Sequence, residues 1–239
     1  VIITLSYRDV INVYTKVGGA YIVSRDNFGP VVAQVAAVAL MLDYIVTVAI
    51  QSAAGVAAII STFPSLHPYK IPMILVVIVL LTYGNLRGVK EAGKAFALPT
   101  YFFVSCMFIV FSVGLYKQFN GTLIQLSVEQ PGAVEIGQEQ GLLTFAAIFI
   151  LLRAFANGGS SLTGLEAISD GVALFKTPEH VNARRTLYIM STLLGTLVLG
   201  VSWFAHKIHA VPYESGTPTV ISQIAKTIMG DGVVGSVMF

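Results

Sequence analysis

The sequence predicts an all-α membrane protein, a polytopic bundle of helices, and three observations predict it. Apolar residues make up 55% of the 239 and charged residues only 11%, with a mean hydropathy of +0.79; a soluble domain carries about 25% charged residues. Several apolar runs approach or exceed the ~20 residues needed to cross a bilayer. One such run is interrupted by glycines and hydroxyl residues beside an acid, which lipid tolerates only where the freed backbone faces protein or a wet cavity.

The elements follow in order. Val1 to Leu5 reads as the tail of a span, Val31 to Ile60 as a full span long enough to tilt, and Ile71 to Tyr83 as a short span extensible toward Asn85. Phe96 to Tyr116 is a span with Pro99 near its start, where proline is tolerated. Leu142 to about Leu174 is the broken span, interrupted around Gly158, Gly159 and Ser160, and Leu187 to Phe204 is another. Thr219 to Met229, with Val220, Ile221, Ile224 and Ile228 apolar, reads as a short amphipathic helix at an interface. The chain opens without methionine, and Gly232 to Phe239 resembles an apolar segment just beginning. The expectation is therefore residues 1–239 as a single transmembrane domain, an incomplete fragment of a longer membrane protein.

Basic residues orient the spans. One set of alternate loops holds Arg8, Lys16, Arg25, Arg87, Lys90, Lys94, Lys176, Arg184 and Arg185; the other holds Lys70, Lys117, Lys207 and Lys226. The richer set should be cytoplasmic, leaving the polar loop Gln118 to Gly141 outside. The net charge of +2 implies no surface for nucleic acid, and the single cysteine, Cys106, cannot form an internal disulfide and reads as a small core residue. There is no nucleophile elbow or zinc pattern, and Gly18-Gly19 lacks the following lysine of a phosphate-binding loop. An enzyme or an ATP-driven pump is unsupported, and no cofactor is expected.

Polar groups inside apolar runs are the candidate site. Asp43 lies in the middle of its span with Thr47 at i+4 and Gln51 at i+8, all on one helix face, and Tyr44 adjoins that face. An unpaired aspartate there costs at least ~2.5 kcal/mol on insertion scales, so it must meet water, a cation, a proton or a partner. Thr163, Glu166 and Asp170 follow at i+3 and i+4 and share a face if helix resumes after Ser160. Their oxygens suit small hard cations or an ammonium group. Glu166, near Asp43, is also a candidate proton carrier, while a capping role for Asp170 is as natural as a functional one. Gly158 and Gly159 are the expected helix break, with Ser160 adding free polar groups. Arg153 reads as structurally paired or snorkelling to the interface. His206 and His209 read as a surface pair, and Arg184-Arg185 as a topology anchor.

Several motifs resemble those of one family. Gly18-Gly19-Ala20-Tyr21 running on to Phe28-Gly29, Asn85-Leu86-Arg87-Gly88-Val89-Lys90, and Thr163-Gly164-Leu165-Glu166 are similar, in order and spacing, to motifs of the amino acid–polyamine–organocation (APC) superfamily. A more specific likeness, to the KimA-type potassium importers within that superfamily, rests on Leu42-Asp43-Tyr44-Ile45-Val46-Thr47-Val48-Ala49, Phe63-Pro64-Ser65-Leu66-His67 and Ser161 to Ser169. The resemblance implies an inverted-repeat (LeuT-like) bundle with two unwound helices, of which this chain would run from the end of the second helix to the start of the eighth. It implies that Asp43, Tyr44, Thr47, Thr163 and Glu166 coordinate potassium or relay protons. Two departures stand out: Gln51 where a small hydroxyl residue is expected, and Thr15 in place of the usual proline.

The function expected is proton-coupled potassium or cation uptake by alternating access, in the cell membrane. A proton-coupled amino-acid or polyamine permease is the alternative, because a broken helix binds a carboxylate or an ammonium equally naturally. A non-transporting receptor or structural subunit is the third reading; polar groups at mid-membrane argue against it. The expected partners are membrane lipid, protons, a small cation or amino acid and, in a homodimer, a second copy of the chain.

Overall fold

The structure, a computed structural model, describes residues 2–15, 18–127, 131–134, 145–160 and 163–230. These residues are helical and contain no strand; an isolated bridge pairs Ala133 with Tyr213. In chain order the helices are α1 (Ile2–Val13), α2 (Gly19–Phe28), α3 (Pro30–Thr62), α4 (Lys70–Leu86), α5 (Val89–Phe119), α6 (Phe145–Ser160), α7 (Thr163–Asp170), α8 (Glu179–Ile208) and α9 (Val220–Met229). Four stretches are long and apolar enough to cross a membrane: Pro30–Thr62, Pro64–Leu86, Phe96–Phe119 and Glu179–Ile208. α4 has no buried residue although it is almost wholly apolar. In water such a surface would aggregate, whereas in lipid it is the ordinary outer face of a span.

Several expectations shift. The span expected from Ile71 begins at Lys70 and is preceded by a 3-10 turn, Pro64–Tyr69. The segment between Gly18 and Gly29, where Arg25 was expected in a loop, is helix α2; its low apolar content hides the helical period. The start of the broken span at Leu142 lies outside the described residues. Gly158 and Gly159 do not form the break expected of them: both belong to the last turn of α6, which runs to Ser160, and residues 161–162 lie outside the described residues. Glycine weakens a helix without necessarily ending it. α9 starts where expected, with the Thr219 hydroxyl accepting from the Ser222 amide at 3.2 Å. It is not merely an interfacial helix, since it packs on α5 and buries Ser222, Gln223, Ile224, Ala225 and Ile228.

The chain forms two compact units, Val1–Thr47 with Ile136–Thr196, and Val48–Glu135 with Leu197–Phe239. In the first, α7 packs on α1 and α2. Leu165 and Ile168, one helical turn apart, bury their side chains with Ile11, Val172, Ala183 and Leu187. A Thr4 to Ser191 hydroxyl bond of 3.1 Å ties α1 to α8.

In the second unit Met107, Val110, Phe111, Phe204, Ile208, Ile224 and Ile228 form the core. The rings of Phe111 and Phe204 stack at 5.5 Å. Each aromatic lies where a glycine on the other helix leaves room: a Cβ on Gly200 would meet Phe111, and one on Gly114 would meet Phe204. Gln223 is buried and pins the loop before α9, donating to the Val211 carbonyl at 2.7 Å and accepting from its amide at 3.3 Å. Ser61 accepts the Thr219 amide at 3.0 Å, and Lys226 donates to the Ser61 carbonyl at 3.2 Å.

Candidate functional site

Most hydroxyl residues in the apolar helices are locally satisfied. Ser61, Thr82, Thr100, Ser105 and Ser112 each donate to the carbonyl four residues earlier, at 2.7–2.8 Å, the usual way a helix silences a hydroxyl in lipid. Three polar side chains of the first unit behave differently. Asp43, Thr47 and Glu166 make no side-chain hydrogen bond to another described residue. Asp43 is exposed, and Thr47 and Glu166 are half-buried.

Tyr44, next to Asp43 on α3, donates its hydroxyl to Oδ2 of Asp170, the last residue of α7. Glu166 lies one helical turn before Asp170, so both acids project from the same side of α7. Asp43, Glu166 and Asp170 all lie within Coulombic reach of Tyr44 and of Tyr7 on α1, and Glu166 lies within reach of the other two. All three acids and both phenols belong to one compact unit, in which the Tyr44–Asp170 hydrogen bond joins α3 to α7, and carboxylates at membrane depth attract cations.

The end of α7 also docks on the start of α2. The Gly18 amide donates to the Asp170 carbonyl at 3.2 Å. Gly18 has φ +124° and Gly19 φ +30°, and a Cβ on Gly19 would collide with the Asp170 carboxylate. The glycine pair therefore serves close approach of an acid-bearing helix end rather than phosphate binding. Oδ1 of Asp170 is buried and has no hydrogen-bond partner among the described residues.

The structure therefore brings Asp43, Tyr44, Thr47 and Glu166 into one unit. The side chains of Ser160 and Thr163 lie outside what it describes. Gln51 belongs to the second unit, where it lines a cavity of about 280 Å³ with Ser52, Gly55, Val56, Ile59, Val77 and Leu81. Arg153, expected to be paired or to snorkel, is exposed and forms no ion pair with a described residue. Among the described residues no group of three His, Cys, Asp or Glu could hold a metal ion. The candidate residues did not include Tyr7, and Asp170 read as a cap as naturally as a functional group. Asp170 meets Tyr44 126 residues away along the chain, so that contact carries no local signal, although Asp170 docks on the Gly18-Gly19 pair.

Comparison with known proteins bears on this arrangement. The sequence model of the family described as "Amino acid permease" matches residues 2–239. A relative, "Potassium transporter KimA" of Bacillus subtilis (strain 168), is 39% identical over 230 residues, covering 96% of this chain and 36% of that protein. The chain thus spans about a third of the length of that relative. Apolar helices of membrane length and a family match from end to end lead to one conclusion: the chain belongs to the amino acid permease family of membrane-embedded transporters.

Proposed function

We propose that this chain is part of one transmembrane domain of a multi-pass secondary transporter in the cell membrane, and that the transporter takes up potassium or a similar cation by proton-coupled alternating access. The observation that carries the reading is the Tyr44–Asp170 hydrogen bond, which ties the stretch of α3 that bears Asp43 and Thr47 to the short helix α7 that bears Glu166. Carboxylate, phenol and hydroxyl oxygens are hard donors that suit a hard monovalent cation. Asp43 and Thr47 would face the ion from α3, Glu166 and Thr163 from α7, and Glu166 would exchange the coupled proton. Ser160 and the glycines before it, in the last turn of α6, would supply backbone carbonyls. The similarity to a potassium transporter supports the choice of cation.

The test is growth at limiting potassium of an uptake-deficient strain expressing the full-length parent. Growth should be restored by the parent and lost with Asp43→Asn, which keeps the shape and removes the charge. Normal uptake by that variant would sink the assignment.

A second reading, a proton-coupled amino-acid or polyamine permease, is favoured by the family's own description. An excess of amino acid that abolishes potassium-linked flux would move the conclusion to it.

A further inference from the structure

Asp170 touches three elements at once. Its side chain accepts from Tyr44 on α3, its carbonyl accepts the Gly18 amide, and its carboxylate fills the space beside Gly19 that any Cβ would need. Glu166 stands one turn away on the same short helix. An eight-residue helix has too few internal hydrogen bonds to hold its own position, so outside contacts must set it. Its apolar face is held by Leu165 and Ile168, which limits tilt and depth. Rotation of its polar side is limited by Asp170.

We propose that Asp170, Tyr44 and the Gly18–Gly19 pair form an interlock that sets Glu166 against the Asp43–Thr47 face of α3, which makes Asp170 a positioning residue of the cation site. The inference rests on the function proposed above. It adds a role for an acid that touches no cation in that scheme and a reason for the glycine pair. It also gives Tyr44 a duty beyond that of an oxygen donor: its hydroxyl hydrogen is committed to Asp170, so only a lone pair of its oxygen remains to face an ion.

The test is a double-mutant cycle in the full-length parent, purified and reconstituted in lipid vesicles, with rubidium as the transported probe. Tyr44→Phe removes one oxygen and Asp170→Leu removes the acceptor, while Asp170→Asn keeps an acceptor oxygen. Tyr44→Phe and Asp170→Leu should each raise the apparent KM about tenfold, the worth of one hydrogen bond to a charged group, with the maximal rate changed much less. The double variant should be no worse than the poorer single one, because both break the same bond. Asp170→Asn should recover most of the affinity. Independent, additive effects would overturn the interlock and return Tyr44 to a direct ligand alone. A fall in maximal rate at constant KM would also overturn it, since that is what a merely structural role predicts.

Unfolding temperatures of the same variants, measured without added cation, provide a second readout should Asp170→Leu transport nothing. Non-additive shifts support the interlock and additive shifts overturn it. If the parent itself carries no rubidium or potassium, the proposed function falls, and these unfolding temperatures still decide the interlock by the same rule.

Discussion

The two compact units are held together by different means. In the second, two phenylalanine rings stack and each fills the space left by a glycine on the opposite helix, with isoleucines of α9 closing the core. In the first, none of the fully buried core residues among those described is aromatic, and Tyr7 and Phe175 pack at its edge. Beside it lie three carboxylates, two tyrosines and a glycine pair. In lipid there is little hydrophobic force between helices, so shape-matched packing and buried hydrogen bonds must do the joining. The second unit combines that packing with polar contacts of Ser61, Gln223 and Lys226, whereas the first brings in the carboxylate of Asp170, which a cation or proton can neutralise. The contrast is between a unit centred on aromatic packing and one with acids beside its core.

Substitutions can break or sharpen that division. The largest effect is expected from Phe204→Ala, which removes a fully buried ring; removal of a buried phenylalanine costs about 3–5 kcal/mol. Unfolding of the purified full-length protein should show it, with the KM of surviving protein unchanged. A KM shift without loss of stability would erase the distinction between the units. Gly114→Ala comes next: its methyl would press on Phe204 and Ile228, an overpacking worth about 1–3 kcal/mol, visible as a lower unfolding temperature that Phe204→Leu in the same chain partly restores. Gln223→Leu should follow at roughly 1–3 kcal/mol, because it strands the buried amide and carbonyl of Val211; hydrogen exchange should quicken at residue 211. The smallest is Thr4→Val in the first unit. It deletes one half-buried, neutral bond to Ser191 and should cost about 1 kcal/mol. An unfolding shift as large as that of Phe204→Ala would mean that the first unit is also held by a few stiff contacts.

The sequence made the long helices legible because hydropathy is local: α3, α5 and α8 contain their expected spans, and the polar first turns of α5 and α8 extend them by about two turns at the N-terminal end. The short helix α9 was legible for the same reason, since the apolar period at Val220, Ile221, Ile224 and Ile228 is local. The face shared by Asp43 and Thr47 follows from helical period alone. Which face meets which does not. Tyr44 and Asp170 are 126 residues apart, and nothing near either residue names the other. α2 escaped because Ser24, Arg25, Asp26 and Asn27 interrupt its apolar pattern. The break was placed on the glycines because glycine favours an interruption, yet hydrogen bonding carries α6 through both of them to Ser160.

The stacked aromatics of the second unit also carry directional information. Phe111 meets Gly200 and Phe204 meets Gly114, so residue numbers ascend together along the contact and α5 and α8 run in parallel. Parallel helices cannot be joined by a tight turn. The direction of the chain must therefore be reversed between Phe119, where α5 ends, and Gly200, where the chain meets α5 again; the packing of two glycines against two rings is what demands it.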